Sequence, residues 1–187
     1  GAGGAHHAGP DGGAGYCVFN DVAVAAATLL AEGVVRRVLV IDCDVHQGDG
    51  TARIFADDPR VFTLSVHAER NFPARKAQSD LDVALPDGAM DGAYLAALSA
   101  ALEAAFAAFA PDLAFYNAGV DVHLEDRLGR LALSDAGVRA RDWLALSACR
   151  ARGLPVVGVL GGGYAADPAV VAERHAALFE EAAALAG

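Results

Sequence analysis

The chain has 187 residues, enough for one compact domain (1–187), and 14 Lys and Arg against 24 Asp and Glu leave a formal charge of −10. That balance excludes a nucleic-acid binder acting through bulk positive charge, because no basic surplus exists to displace counterions from phosphate. A hydrophobic fraction of 55% with only 20% charged residues excludes disorder, and the three scattered cysteines, Cys17, Cys43 and Cys149, exclude a disulfide scaffold and point to a reduced, cytoplasmic setting.

From Gly1 the first residues are small, with neither a basic segment nor an apolar stretch, so no signal peptide is expected there; the lack of an initiator Met is that of a fragment or a processed product. Apolar residues at three- and four-residue steps predict helices over 18–32, 92–109, 135–152 and 168–185. Between them, β-branched and aliphatic runs at 38–41, 61–66, 113–116 and 156–160 predict strands. The alanine-rich run 92–110 is broken by Ser99 and Glu103 and gains little on transfer to lipid, so it reads as a soluble helix and no membrane span is expected. Asp135 is expected to cap the third of these helices, and Asp167 the fourth, with Pro168 in its first turn. The irregular stretch 68–88 reads as a long surface loop. Continuous apolar strands alternating with helices predict an α/β fold with a parallel sheet buried on both faces.

Polar clusters follow the strands directly. Strand 38–41 runs into Asp42-Cys43-Asp44-Val45-His46-Gln47-Gly48-Asp49-Gly50, and 61–66 into His67. Strand 113–116 runs into Asn117-Ala118-Gly119-Val120-Asp121, and 156–160 into Gly161-Gly162-Gly163-Tyr164. In an open parallel sheet the carboxyl ends of the strands share one edge, so these clusters should converge on one site.

Asp42, Asp44 and His46 share parity on an extended segment and point the same way. Carboxylates and an imidazole aimed at one point are costly unless a cation neutralises them. With Asp121 from a second strand end, Asp44 and His46 make a three-ligand set that leaves a position open, the pattern of a catalytic metal rather than a structural one. The bland reading of any single Asp is a helix cap or a partner for loop amides; the pattern as a whole favours the metal. Nitrogen and oxygen donors suit Zn2+, with Fe2+ or Co2+ as alternatives. Two carboxylates cancel the dication's charge, so the site needs help from a base. His6 and His7 supply it, each backed by a carboxylate the metal does not need, Asp42 or Asp49. A surface tail with two histidines is the alternative reading. The Tyr164 phenol could donate to a developing oxyanion; otherwise Gly161–Gly163 is a tight turn, since neither a dinucleotide nor a P-loop fingerprint is present.

The segments Gly4-Ala5-His6-His7-Ala8, 15–23, 42–51, Asn117-Ala118-Gly119-Val120-Asp121 and Gly161-Gly162-Gly163-Tyr164 resemble, in order and spacing, the motif series of the zinc-dependent histone deacetylase family. Gln47, and Asp126-Arg127-Leu128-Gly129 after Asn117-Ala118-Gly119, look closer to the class IV and bacterial class IV-like branch; the richness in Ala, Gly and Arg over Lys fits a bacterial source. The resemblance implies an arginase/deacetylase-like, three-layer, mostly parallel sheet flanked by helices. It also implies removal of an acetyl or other acyl group from lysine side chains or polyamines. Asp44, His46 and Asp121 would then be the zinc ligands, and His6 and His7 the paired histidines backed by Asp42 and Asp49, His7 acting as base and acid. Tyr164 would polarise the acyl carbonyl. Gly15, Tyr16 and Phe72 would line a tunnel with Leu128 at its mouth and Gly162 and Gly163 beside the substrate. A K+ ion would be held by Asp42, the Ser65 side chain and main-chain oxygens of Asp44, His46 and Val66.

Domains of this family are longer, so the resemblance implies that the early part of the domain is absent here, with apolar surface exposed in consequence. Two alternatives follow: an inactive relative that holds metal or acyl-lysine without turnover, and a two-manganese ureohydrolase. The oligomeric state is left open.

Overall fold

The computed structural model describes residues 3–186; the expectation attached to Gly1 lies outside them. Five strands form one sheet in the order β3-β2-β1-β4-β5, from β1 (Val38–Asp42), β2 (Val61–Ala68), β3 (Leu81–Leu85), β4 (Leu113–Asn117) and β5 (Val156–Val159). Every neighbouring pair is parallel. The helices are α1 (Asp21–Ala31), α2 (Asp49–Ile54), α3 (Asp91–Ala108), α4 (Asp135–Arg150) and α5 (Pro168–Ala186).

The two-residue period of the central strands sorts their side chains into two cores. Leu39 and Ile41 of β1 join Ala114 and Tyr116 of β4 in a core shared with α3, α4 and α5. Val38 and Val40, with Leu113 and Phe115, face the other way and pack with Val22, Ala26 and Leu30 of α1 and with Phe55. Burying each large aliphatic chain stabilises by about 2 kcal/mol. The result is three layers, helices on both faces of a parallel sheet. The edge strands are less covered: β3 alternates half-buried and exposed residues up to the buried Leu85, and β5 is half-exposed along its length, with Val157 43% exposed.

Three expectations change. The stretch 68–88 is not all loop, because Leu81–Leu85 pairs with β2 as an edge strand. The short helix α2 follows the polar run after β1, where no apolar periodicity marks it. The cap of α4 is Ser134, whose Oγ accepts from Gly137 N at 3.0 Å, while Asp135 is the first helical residue. Asp167 does accept from Ala169 N at 2.8 Å at the start of α5. No described helix is long and apolar enough to cross a membrane.

The register fixes where the chemistry sits. Asp42, Ser65 and Asn117 are direct partners across β1, β2 and β4, so the polar runs after these strands leave the sheet at one edge.

Candidate functional site

Asp44, His46 and Asp121 are buried and meet there, each offering a ligand atom within 4.8 Å of the others. His46 Nδ1 lies 3.0 Å from Asp44 Oδ1 and 3.1 Å from Asp121 Oδ2. Main-chain amides hold the outer oxygens: Val45 N donates to Asp121 Oδ1 at 2.8 Å and Gly162 N to Asp44 Oδ2 at 2.7 Å. Burial opposes protonation of His46, yet the two carboxylates outweigh it and raise its pKa to about 10. Burial and the nearby Asp44 charge push Asp121 up; Asp44 stays low despite burial, held by His6 and His46. Two sequestered carboxylates sharing one imidazole suit a divalent cation, which would take the place of the imidazole proton between them. The donor set fits the metal that the sequence pattern implies.

The paired histidines are both buried, their rings 4.1 Å apart. His6 Nδ1 is 2.6 Å from Asp42 Oδ2, and its Nε2 is 3.6 Å from Asp44 Oδ1. Burial lowers the His6 pKa, but Asp42, Asp44 and Asp121 together raise it to about 10. His7 Nδ1 is 2.6 Å from Asp49 Oδ1, which Arg53 of α2 grips from its other oxygen. An ionised carboxylate only accepts, so His7 donates through Nδ1 and keeps Nε2 free as an acceptor. Burial first, and then the His6 charge, lower the His7 pKa, so His7 is neutral near pH 7.

Above this cluster lies a cavity of about 340 Å³ lined by His7, Gly15, Tyr16, His46, Asn71, Phe72, Leu128 and Tyr164. The ring of Phe72 stands edge-on to His7 at 4.8 Å, and Tyr164 lies 6.2 Å from His46. Gly15 has φ +51°, and a Cβ there would sit 2.3 Å from His7 Cδ2, so only glycine lets the wall approach the imidazole. Tyr16, also left-handed at φ 66°, turns outward and is 87% exposed. Burial, then the carboxylates of Asp44 and Asp121, push the Tyr164 phenol well above its usual value, keeping it protonated as a donor.

Gly162 and Gly163, expected beside the substrate, do not line this cavity. A Cβ on Gly162 would meet Asp121 Oδ2 at 2.2 Å, so this glycine packs against the ligand carboxylates, and one on Gly163 would meet Val120 at 2.7 Å and Val171 of α5 at 2.9 Å. Ser65 Oγ lies 3.0 Å from His67 Nδ1 and faces Asp42 in the register, while Val66 is buried beside it.

Several positioning residues escaped the sequence reading. Asn117 donates to Asp42 Oδ1 at 3.0 Å. Gln47 donates to Ala77 O at 2.9 Å and Asp82 Oδ1 at 2.8 Å and accepts from Ala77 N at 2.8 Å, tying down the loop that carries Asn71 and Phe72. Arg141 of α4 is completely buried; it donates to the carbonyls of Gly119 and, at 3.2 Å, Cys43, the loops that carry Asp121 and Asp44. Its charge is held by Asp142 at 2.8 Å, which also accepts from Tyr116 OH at 2.5 Å. All three cysteines are free.

The family model described as histone deacetylase domain matches residues 1–181. The chain belongs to that family. An uncharacterized protein of Picosynechococcus is 51% identical over 181 residues, 97% of this chain and 60% of the relative. Among solved structures, a histone deacetylase homolog complexed with SAHA superposes with a TM-score of 0.83 at 29% identity, covering 96% of this chain and 50% of that one. An acetylpolyamine aminohydrolase from Burkholderia pseudomallei gives 0.79 at 28% identity, covering 94% and 53%. The deacetylase-family chain thus spans between half and three-fifths of the length of these relatives.

Proposed function

We propose that this chain carries the catalytic centre of a metal-dependent amide hydrolase that removes acetyl or other acyl groups from lysine side chains or polyamines. The observation that carries the reading is the buried Asp44, His46 and Asp121 set, its ligand atoms within 4.8 Å, at the foot of a cavity walled by His7 and Tyr164. Membership of the deacetylase family supports hydrolysis, and the acetylpolyamine aminohydrolase among its structural relatives supports an acylated amine as substrate.

Asp44, His46 and Asp121 would hold Zn2+, which when bound polarises the acyl carbonyl and acidifies water. The residues of the chain do the rest. The cavity between Phe72, Tyr16 and Leu128 takes the apolar stem of the acylated amine. The Tyr164 hydroxyl donates to the carbonyl oxygen as negative charge builds on it. Neutral His7 accepts a proton at Nε2 from the attacking water while Asp49 holds its Nδ1–H; as the amide C–N bond breaks, the proton passes to the leaving amine. The products are a carboxylic acid and a free amine. Asp42 orients His6 through Nδ1, and a bound dication offsetting Asp44 and Asp121 would lower the His6 pKa. Asp42 and Ser65, with main-chain oxygens of Asp44, His46 and Val66, would hold K+ behind the metal ligands.

The test is hydrolysis of an acetyl-lysine peptide by zinc-loaded protein. Tyr164→Phe removes one oxyanion donor and should lower kcat by about 100-fold or more with metal content unchanged. Activity unaffected by Asp121→Ala would overturn the assignment. A zinc-loaded chain that binds a hydroxamate but turns nothing over would support the inactive relative, and two metal ions per chain the ureohydrolase.

A further inference from the structure

In the Asp126-Arg127-Leu128-Gly129 motif only Leu128 has a part in the chemistry above, yet the first two residues hold both ends of the Tyr164 main chain. Asp126 Oδ2 accepts from Tyr164 N at 2.6 Å, and Arg127 Nε donates to Tyr164 O at 2.7 Å. The other Asp126 oxygen accepts from Leu128 N at 2.9 Å and Gly129 N at 2.8 Å, so one carboxylate ties the cavity mouth to the tyrosine loop.

The glycines before Tyr164 are held separately, Gly162 N donating to Asp44 Oδ2 at 2.7 Å and Gly162 O accepting from Val120 N at 2.7 Å, and this grip is what holds the main chain of Tyr164 itself. Its ring is only half-buried, its hydroxyl has no hydrogen-bond partner among the described residues, and three glycines precede it. Glycine supplies no stiffness of its own. The abutment, by contrast, is firm. Leu124 N donates to Leu133 O at 2.9 Å, Leu133 N to Val122 O at 3.1 Å and Asp126 N to His123 O at 3.0 Å. Glu125 and Asp135 are joined through Arg174 of α5.

We propose that Asp126, assisted by Arg127, is the positioning residue that fixes Tyr164, setting the place of its hydroxyl over the cavity floor without touching substrate. The proposal rests on the catalytic role given to Tyr164 above. Misplacing a donor by about 1 Å costs on the order of 100-fold in rate.

The experiment combines kinetics with amide hydrogen exchange on the zinc-loaded full chain. Asp126→Ala should lower kcat by about 10–100-fold, with KM within about threefold, and Asp126→Asn, which keeps one accepting oxygen but turns its NH2 toward the donors on the other side, should recover only part of the loss. In a Tyr164→Phe background Asp126→Ala should cost little more, because both changes remove the same contribution. Exchange at Tyr164 N should quicken at least about tenfold in Asp126→Ala, with β1 and β4 amides unchanged. Equal kcat losses in the two backgrounds, or unchanged exchange at Tyr164, would overturn the proposal. A wild-type chain without activity would instead defeat the hydrolase reading, and the exchange measurement would still decide whether Asp126 anchors the loop.

Discussion

Replacing Gly162 by alanine tests the metal site through a single methyl group. The residue does not sit at positive φ, so the backbone tolerates alanine, and the N–H that donates to Asp44 Oδ2 is kept. What changes is space: the new Cβ would lie 2.2 Å from Asp121 Oδ2 and 2.9 Å from Asp44 Oδ2. Restoring ordinary contact requires the Asp121 oxygen to move by roughly 1 Å, whereas metal–ligand distances tolerate only about 0.2 Å. The carboxylates cannot swing aside, because Val45 N holds Asp121 Oδ1 and His46 N holds Asp44 Oδ1, and both side chains are buried. Zinc affinity should therefore weaken by about 100-fold, or roughly 2.7 kcal/mol. Competition against a chromophoric chelator measures it, with circular dichroism showing that the variant is folded. Gly92→Ala, where nothing lies within 4 Å of the added Cβ, is the control. A folded Gly162→Ala that binds zinc within about threefold of the parent would refute the assignment of Asp44 and Asp121 as ligands.

The pKa of His6 rises on folding from 6.5 to about 10, so its stabilisation is complete below pH 6.5 and is lost as pH rises through about 10. The melting temperature of chelator-treated protein should fall across that window, and added zinc should flatten the profile. At pH 8 His46 is protonated in the metal-free site and must lose its Nδ1 proton to ligate, so the calorimetric heat of zinc binding should vary with the ionisation enthalpy of the buffer; a buffer-independent heat contradicts this. Arg141→Met leaves Asp142 buried without its cation and should cost about 3–5 kcal/mol in urea unfolding, most of it recovered when Asp142→Leu is added. Recovery of stability without recovery of zinc affinity would separate the clamp on the ligand loops from the buried charge.

The central strands were legible because they bury both faces, which leaves continuous apolar runs such as Val38–Ile41. β3 was not. As an edge it keeps only part of its surface covered, and its short apolar pattern is interrupted by Asp82, which accepts from Ser79 N, and preceded by Asp80, which accepts from Thr63 N. The helix α2 has six residues and buries Asp49, Gly50, Thr51 and Ala52, so no amphipathic stripe announces it; it is there to present Asp49 to His7. Ser134 took the cap of α4 because its hydroxyl reaches Gly137 N, a choice between adjacent Ser and Asp that composition leaves open.

The site divides in the same way. Groups that meet the metal had to be Asp or His at strand ends, and that restriction is visible in one sequence as Asp44, His46 and Asp121. Groups that hold those residues in place act through main-chain atoms, and a carbonyl or amide leaves no mark on composition. Arg141 reaches Gly119 O and Cys43 O across 22 and 98 residues of chain, and Asp126 reaches Tyr164 N across 38. A charged residue inside an amphipathic helix reads as a solvated face until its burial is seen; Arg141, with no exposed surface, is such a case. The ligands state what chemistry is available, but whether the Tyr164 hydroxyl and the two carboxylates meet at one point is decided by long-range bonds from ordinary polar residues to main chain.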